Sequence, residues 1–337
     1  MNTQPEPSPD LFFDTLTAYQ RTAALKAAID LNLFTVLAGE PLTAAAAAAR
    51  CHAAARGVRI LCDYMTVAGF LKKDGDHYHL TPDSSVFLNR NSPAYLGGAM
   101  EFLLSDHMTQ AFKHLTKSVA NGGTTEPQQG SITPEHPMWL TFAHAMGGLM
   151  FAAAEGLAGL IPLDSQRPTK VLDIAASHGV WGFAFARKNP KAHLVALDWS
   201  PVLKSTRANA QHAGIADRFS TIAGSAFDVE LGTDYDIVLV PNFLHHFNVA
   251  DCIRFLKRAH AALRPGGRVA IVEFVPNPDR VTPPQAAGFS LVMLATTPEG
   301  DAYTFAELAD MLAKSGFQPP TAHALPASMN QALIAVK

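Results

Sequence analysis

The sequence predicts an α/β chain in which a doubly wound, mostly parallel sheet follows an α-rich winged-helix domain. Three observations carry this. From Lys170 onward, apolar runs of strand length alternate with helical patterns. The first hundred residues are alanine-rich and helical in periodicity. Within them, "LKKDGDHYHL" alternates around an Asp-Gly pair, the signal of a β-hairpin. A chain of 337 residues is long enough for two domains, each with its own core.

In chain order, "TAYQRTAALKAAIDLNLFTVLA" sets Tyr19, Ala23, Leu25, Ala28, Ile29, Leu33 and Leu37 near helical spacing. Thr43 precedes a polyalanine run, and "GVRILCDYMTVAGFL" forms a third helix. With the hairpin they complete a winged helix over residues 1–100. Residues 101–165 read as a helical connector, clearest in "HPMWLTFAHAMGGLMFAAAEGLAGLI" and interrupted by the Pro- and Gly-rich loop "NGGTTEPQQGSITPEHP". Residues 166–337 carry the strands "KVLDIA", "HLVALD", "FSTIAG", "DIVLVP" and "RVAIVEFV", with "RPGG" as a turn before the last.

Composition bounds the function. Hydrophobic residues make up 48% and charged residues 16%, which excludes disorder as the main state. A net charge of −3 gives no general attraction to nucleic acid or anionic membranes. Cys51, Cys62 and Cys252 lack metal or redox spacing and read as reduced core residues of a cytoplasmic protein. "MNTQPEPSPDLFF" is not a signal peptide, and no uncharged apolar run reaches the ~18 residues of a membrane span. The winged helix raises a DNA-binding regulator as a rival. Its candidate recognition helix offers only Arg56 and Arg59, offset by Asp63, and its wing sets Lys72 and Lys73 beside Asp74 and Asp76. Groove binding needs a basic face, so this helix better suits burial against a second subunit.

The stretch "VLDIAASHG" carries the first chemistry. After a parallel strand the chain must turn tightly and start a helix close to any ligand. Ala175, Ala176 and Ser177 supply smallness there, and Gly179 a permissive backbone. No lysine or arginine is present to hold phosphates, so a nucleoside without phosphates fits better than a dinucleotide. Asp198 ends the next strand, 25 residues after Asp173, where a carboxylate accepts from ribose hydroxyls; the bland reading is a helix-capping acid in an ordinary turn. In "NFLHHF", His245 and His246 follow the fourth strand at the carboxyl edge of the sheet. His245 is expected to face the crevice and His246 to turn toward the following helix. A histidine there takes a proton near neutral pH, or is simply buried and satisfied. Adjacent side chains diverge and no carboxylate–histidine set completes a metal site, so none is predicted.

These residues resemble the class I S-adenosylmethionine-dependent methyltransferases. The whole chain is similar to the small-molecule O-methyltransferases of the caffeate, acetylserotonin and hydroxyneurosporene type, most specifically in "LHHFNVADCIRFLKRAHAALRPGGRVAIVE". The resemblance implies a Rossmann-like seven-stranded sheet, a winged-helix dimerisation domain, a homodimer, S-adenosyl-L-methionine as cofactor and a small-molecule acceptor, with no nucleic-acid or membrane partner. It makes His245 the general base and Glu273 the acid that orients it. Through "TFAHAM" and "LVMLATTPEGDAYTFAEL" it implies an acceptor pocket of Trp139, Phe142, Met146, His246, Phe289 and Met293. It assigns the cofactor to Asp173, Ala175, Ser177, Gly179, Asp198, Trp199, Ser225, Ala226, Phe227 and Asn242. The departures are specific. The family loop Asp-x-Gly-Gly-Gly-x-Gly is here Asp173-Ile-Ala-Ala-Ser-His-Gly179, a usual aspartate is Ser225, a lysine is Pro241, and a second flanking glutamate falls on Ala302. C-, N- or S-methylation, or a homologue that binds the cofactor without transferring methyl, stand as alternatives to O-methylation.

Overall fold

A computed structural model describes residues 6–164 and 166–337; Met1–Pro5, the start of the segment read as lacking a signal peptide, and Ser165, the end of the predicted connector, lie outside the described residues. The chain forms two compact units, one running to Met100 and the other from Glu101.

The first unit holds α1 (Asp10–Asp30), α2 (Leu33–Val36), β1 (Leu42–Thr43), α3 (Ala44–Arg50), α4 (Ala55–Val67), β2 (Leu71–Asp74), β3 (His77–Leu80) and α5 (Pro82–Phe87). Asn32 adopts a left-handed φ of 56°, so the first helical pattern breaks in two. The Thr43 hydroxyl accepts from the Ala46 N–H and caps the alanine run. The antiparallel sheet runs β1-β3-β2, and because Asp74 pairs with His77 the turn residues are Gly75 and Asp76, one position later than the Asp-Gly pair suggested. Leu33, Phe34, Ala47, Val58, Cys62, Met65 and Tyr78 form the core. Arg59 of α4 and Lys73 of the wing both pair with Asp63, so Lys73 is neutralised there and not by Asp74 or Asp76. Tyr19, expected on the packed face, is 68% exposed in a row with Leu11, Phe12, Phe13 and Leu16. The core covers only the later turns of α1.

The second unit begins with α6 (Met100–Leu103, continuing from the first unit), α7 (Asp106–Lys113), α8 (Leu115–Asn121), α9 (Met138–Ala145) and α10 (Gly147–Leu160). There follow β4 (Thr169–Ile174), α11 (Val180–Lys188), β5 (Ala192–Asp198), α12 (Ser200–His212), β6 (Phe219–Ala223), β7 (Tyr235–Pro241), α13 (Val249–Ala262) and β8 (Leu263–Glu273). The chain ends with α14 (Pro284–Thr296), α15 (Phe305–Lys314), β9 (Thr321–Ala324) and β10 (Gln331–Val336). The seven strands run β6-β5-β4-β7-β8-β10-β9, with β4 to β8 parallel and β10 antiparallel to both its neighbours. Strand order reverses between β4 and β7, which opens a crevice at their carboxyl ends. The predicted "RPGG" turn is a bulge inside β8: Leu263 pairs with Tyr235 and Arg268 with Ile237, so Arg264 to Gly267 loop out of the ladder.

Successive strand residues feed opposite cores. Leu172, Ile174, Val238, Val240 and Ile271 pack with α13 and α15, while Val171, Leu194, Ile237, Leu239 and Val272 pack with α10 and α11. Burial on both faces explains why these strands read as unbroken apolar runs.

One glycine sets how closely α11 lies on the sheet. A Cβ at Gly182 would stand 2.5 Å from Leu194 Cδ1 and 2.9 Å from Asp173 Oδ2. The Gly182 N–H meanwhile donates to that same carboxylate at 3.0 Å. Gly182→Ala is expected to destabilise the protein by about 1–3 kcal/mol through overpacking. Urea unfolding measures this, and a midpoint equal to wild type would contradict the close approach.

Candidate active site

The loop after β4 is built by alternating backbone hands. Ala175, Ser177 and Gly179 all have positive φ, at 50°, 52° and 84°, two of them at non-glycine residues. The anchors come mostly from β5 and α12. Ala176 N–H donates to Leu197 O at 3.0 Å, Ser177 N–H to Asp198 Oδ2 at 2.8 Å, and Gly179 N–H to Ala176 O at 2.7 Å. From α12, the Thr206 hydroxyl donates to Ser177 O at 2.5 Å and the Asn209 amide to His178 O at 3.0 Å. Thr206 and Asn209 are site-forming residues that the sequence reading missed. Their only signal is a shared helix face three residues apart, and their partners are backbone atoms remote in sequence.

Asp173 is fully buried; Oδ2 receives the Gly182 N–H, Oδ1 has no partner among the described residues, and burial pushes its carboxyl well above the ordinary range. Asp198 is 8% exposed and also receives the Trp199 N–H at 2.7 Å; burial raises its pKa to about 6. The residues fit S-adenosylmethionine. Asp198 keeps unused lone pairs at the strand end, the buried Ser177 hydroxyl has no partner among the described residues, and residues 173–179 contain no lysine or arginine for phosphates.

The other positions expected to contact the cofactor are spread along the carboxyl edge. Ser225 Oγ accepts from the Phe227 N–H at 3.2 Å in the turn after β6. Ala226 is buried in the core, and Phe227 packs with Phe243, Phe247 and Phe255. Asn242, left-handed at φ 51°, accepts from the Asn330 amide at 3.0 Å through its side-chain oxygen.

Across the crevice, residues 244–246 form a 3₁₀ turn at the end of β7. Glu273, at the end of the adjacent β8 and 2% exposed, organises it. Its Oε1 accepts from the backbone N–H groups of Phe243, Leu244 and His245 at 3.1, 2.8 and 3.4 Å. Its Oε2 lies 2.5 Å from His245 Nδ1. Nδ1 therefore carries the hydrogen, and Nε2 is left with the lone pair a base requires. Ala302 is buried and contributes no second carboxylate.

His246 departs from expectation. Its ring lies 4.3 Å from that of His245 and 5.2 Å, edge-on, from Trp139 of α9, so the pair does not diverge and His246 does not turn to the following helix. A 3₁₀ turn is tight, and Trp139 and Phe289 confine the two rings. Burial, with His245 alongside, holds the His246 pKa well below its usual value, and its Nδ1 has no partner among the described residues. Phe289 stands 4.8 Å from the His245 ring and stacks on Phe274 at 3.8 Å. Trp139 and Phe142 meet edge-on at 6.0 Å, whereas Met146 and Met293 are buried to 7% and 3% exposure. A separate polar cavity of about 670 Å³ is lined by His107, Gln110, His114, Lys117, Glu126 and His136 among others. Among the described residues no group of ligands suits a metal, and no helix is long and apolar enough to cross a membrane.

Residues 13–90 match the O-methyltransferase dimerisation domain and residues 159–318 the O-methyltransferase domain. The crystal structure of a candidate O-methyltransferase from Nostoc punctiforme is 49% identical, with a TM-score of 0.95, over 98% of this chain and 100% of that one. The tetracenomycin polyketide synthesis 8-O-methyl transferase of Streptomyces glaucescens is 28% identical over 89% of this chain and 88% of its own. Human N-acetylserotonin methyltransferase, solved with S-adenosylmethionine, shares the fold at a TM-score of 0.84 and 22% identity, over 100% of this chain and 99% of that one. The chain belongs to the class I S-adenosylmethionine-dependent O-methyltransferases of small molecules.

Proposed function

We propose that this methyltransferase acts on the hydroxyl of a small aromatic acceptor, as a homodimer, with His245 as general base. The observation that carries the reading is the buried His245–Glu273 pair at the edge of the switch-point crevice. Aromatic acceptors are supported by the ring-lined wall of Trp139, Phe142 and Phe289. They are also supported by relatives named for a naphthoate and for acetylserotonin. We assign residues 1–100 to dimerisation, 101–165 to a connector that contributes to the acceptor pocket, and 166–337 to catalysis, in a cytoplasmic protein.

S-adenosylmethionine supplies a methyl carbon made electrophilic by its sulfonium. Asp198 would hold the ribose hydroxyls, with Ser177, Trp199 and the turn at Ser225 around the nucleoside. The wall of α9 and α14 excludes water from the acceptor and orients its hydroxyl. His245 Nε2 would take the acceptor's hydroxyl proton, and the Glu273 carboxylate would stabilise the resulting imidazolium through Nδ1. Glu273 is itself fixed by three backbone donors, so the base is aligned before the acceptor arrives.

His245→Ala is expected to lower turnover ~10²–10⁴-fold with cofactor affinity nearly unchanged. Glu273→Gln should fall between that variant and wild type, and His246→Ala should cost less. Steady-state rates on a panel of phenols decide it. Near-full activity in His245→Ala would move the reading to an acceptor that is already a nucleophile.

Asp198 gives a pH signature. Ribose hydroxyls bond to the ionised carboxylate, whose pKa is about 6. S-adenosylhomocysteine affinity should therefore weaken as pH falls through 6, about tenfold between pH 7 and pH 5. Calorimetry measures this. Asp198→Ala should remove the dependence and weaken binding at pH 7 by about 1.5–3 kcal/mol per lost bond. Unchanged affinity across that range would place the ribose elsewhere.

The exposed row Leu11, Phe12, Phe13, Leu16 and Tyr19 supports dimerisation, since so contiguous an apolar face needs cover. Light scattering should give about twice the 36.0 kDa chain mass at micromolar concentration. A monomer mass would refute the dimer.

A further inference from the structure

Five rings form a continuous ladder from the cofactor loop to the base. His178 lies nearly parallel to Phe142, at 6.1 Å and 20°. Phe142 meets Trp139 edge-on at 6.0 Å, and Trp139 meets His246 edge-on at 5.2 Å. The His246 ring is 4.3 Å from that of His245. The family motif does not specify the first rung, because position 178 is its variable residue.

His178 is held from every side. It is 3% exposed, Nδ1 accepts from the Val180 N–H at 3.2 Å, and Nε2 lies 3.2 Å from Met150 Sδ of α10. With Nδ1 accepting, Nε2 bears the hydrogen and donates to sulfur. Its carbonyl is tied to Asn209 of α12. The junction of α9 and α10 rests on it, since a Cβ at Gly147 would already touch its Cβ and Cγ at 3.4 Å. Burial lowers its pKa to about 4, so the ring is neutral at physiological pH and stacks without a charge. Phe142 also meets Phe102 edge-on at 5.0 Å. A loop residue is thereby wedged beneath the helix that carries the acceptor wall.

We propose that His178 is a positioning residue that couples occupancy of the cofactor loop to the placement of α9, so that donor binding sets the acceptor wall. The proposal rests on the reading that residues 173–179 hold the cofactor. Ser177 and His178 are adjacent, so a ligand that fixes the Ser177 backbone fixes the His178 ring. The ring can shift only by carrying Phe142 and the α9–α10 junction with it. Histidine suits this role better than phenylalanine, because its two nitrogens lock the ring about both side-chain torsions while its face stacks. By linkage, an acceptor seated on α9 would tighten cofactor binding to the same degree.

The test uses S-adenosylhomocysteine as probe and hydrogen exchange over residues 138–146 as readout, with saturation at each protein checked by calorimetry. In wild type the ligand should slow exchange of this helix by about fivefold or more. His178→Asn removes the stacking ring and Phe142→Leu breaks the ladder one rung on. Each should lose most of the protection at equal saturation, and His178→Phe should recover part of it. Full protection in both ladder-breaking variants, or none in wild type with ligand bound, overturns the coupling. Absence of any binding to wild type overturns the cofactor reading itself, and the coupling with it.

Discussion

The site depends on one buried carboxylate. Glu273 is almost inaccessible to water, and an ionised acid in that position must fill its lone pairs with protein donors. It does so with three consecutive backbone N–H groups and one imidazole. Those bonds force the 3₁₀ turn at the end of β7, and the turn fixes where the two histidine rings stand. The fold and the placement of the two histidine rings are therefore one constraint. The β7–β8 pairing that brings residues 243–245 alongside Glu273 is ordinary sheet hydrogen bonding, Pro241 lying opposite Val272. The His245 ring is already oriented by Glu273 through Nδ1, without a carboxylate from position 302, where Ala302 is buried.

The cofactor loop solves a different problem. Two non-glycine residues, Ala175 and Ser177, hold left-handed conformations that cost an L-residue roughly 1–2 kcal/mol each. Such strain persists only where the surroundings over-determine it. Here five hydrogen bonds do so, from Leu197, Asp198, Thr206, Asn209 and within the loop itself. A glycine-rich loop is free to reach that shape and free to leave it. This loop gives up that freedom and is held by its neighbours. The histidine it carries then becomes a fixed surface for α9 and α10 to pack on.

How much of this was legible follows the range of the forces involved. The five parallel strands were readable because burial on both faces writes each as a local apolar run. The β9 and β10 pair was not read from its residues. Thr321–Ala324 is a short edge strand, and what defines it is its register against Gln331–Ile334. "RPGG" looked like a turn because proline and glycines punctuate chains, yet the ladder resumes beyond it and folds it into a bulge. Tyr19 sits on the predicted helical face, but periodicity shows a face without showing what covers it. Of the candidate site residues, His245 and Asp198 could be singled out by strand-end position and Glu273 through the family resemblance. Thr206, Asn209 and Met150 were not, because they meet backbone or ring atoms 28 to 31 residues away.

The electrostatics of the crevice tie stability to ligand. Asp173, Asp198 and Glu273 are buried with no lysine or arginine paired to them among the described residues. Asp198 shows the consequence in sign. Its folded pKa, about 6, lies above its ordinary value near 3.8, so the folded state holds a proton that the unfolded chain has released. The resulting contribution to stability is full below the ordinary value and lost as pH rises through about 6. At neutral pH the carboxylate is ionised, desolvated and short of partners. If Asp198 holds the ribose as proposed, this is also the form that accepts from its hydroxyls, so the condition least favourable to Asp198 in the empty fold is the one most favourable to the ligand. Binding to the folded state alone returns stability by mass action. A cationic donor within range of Asp173 and Asp198 would pull their raised pKa values back down. On the proposed reading, the site is suited less to the stability of the bare chain than to a ligand that carries hydroxyls and positive charge.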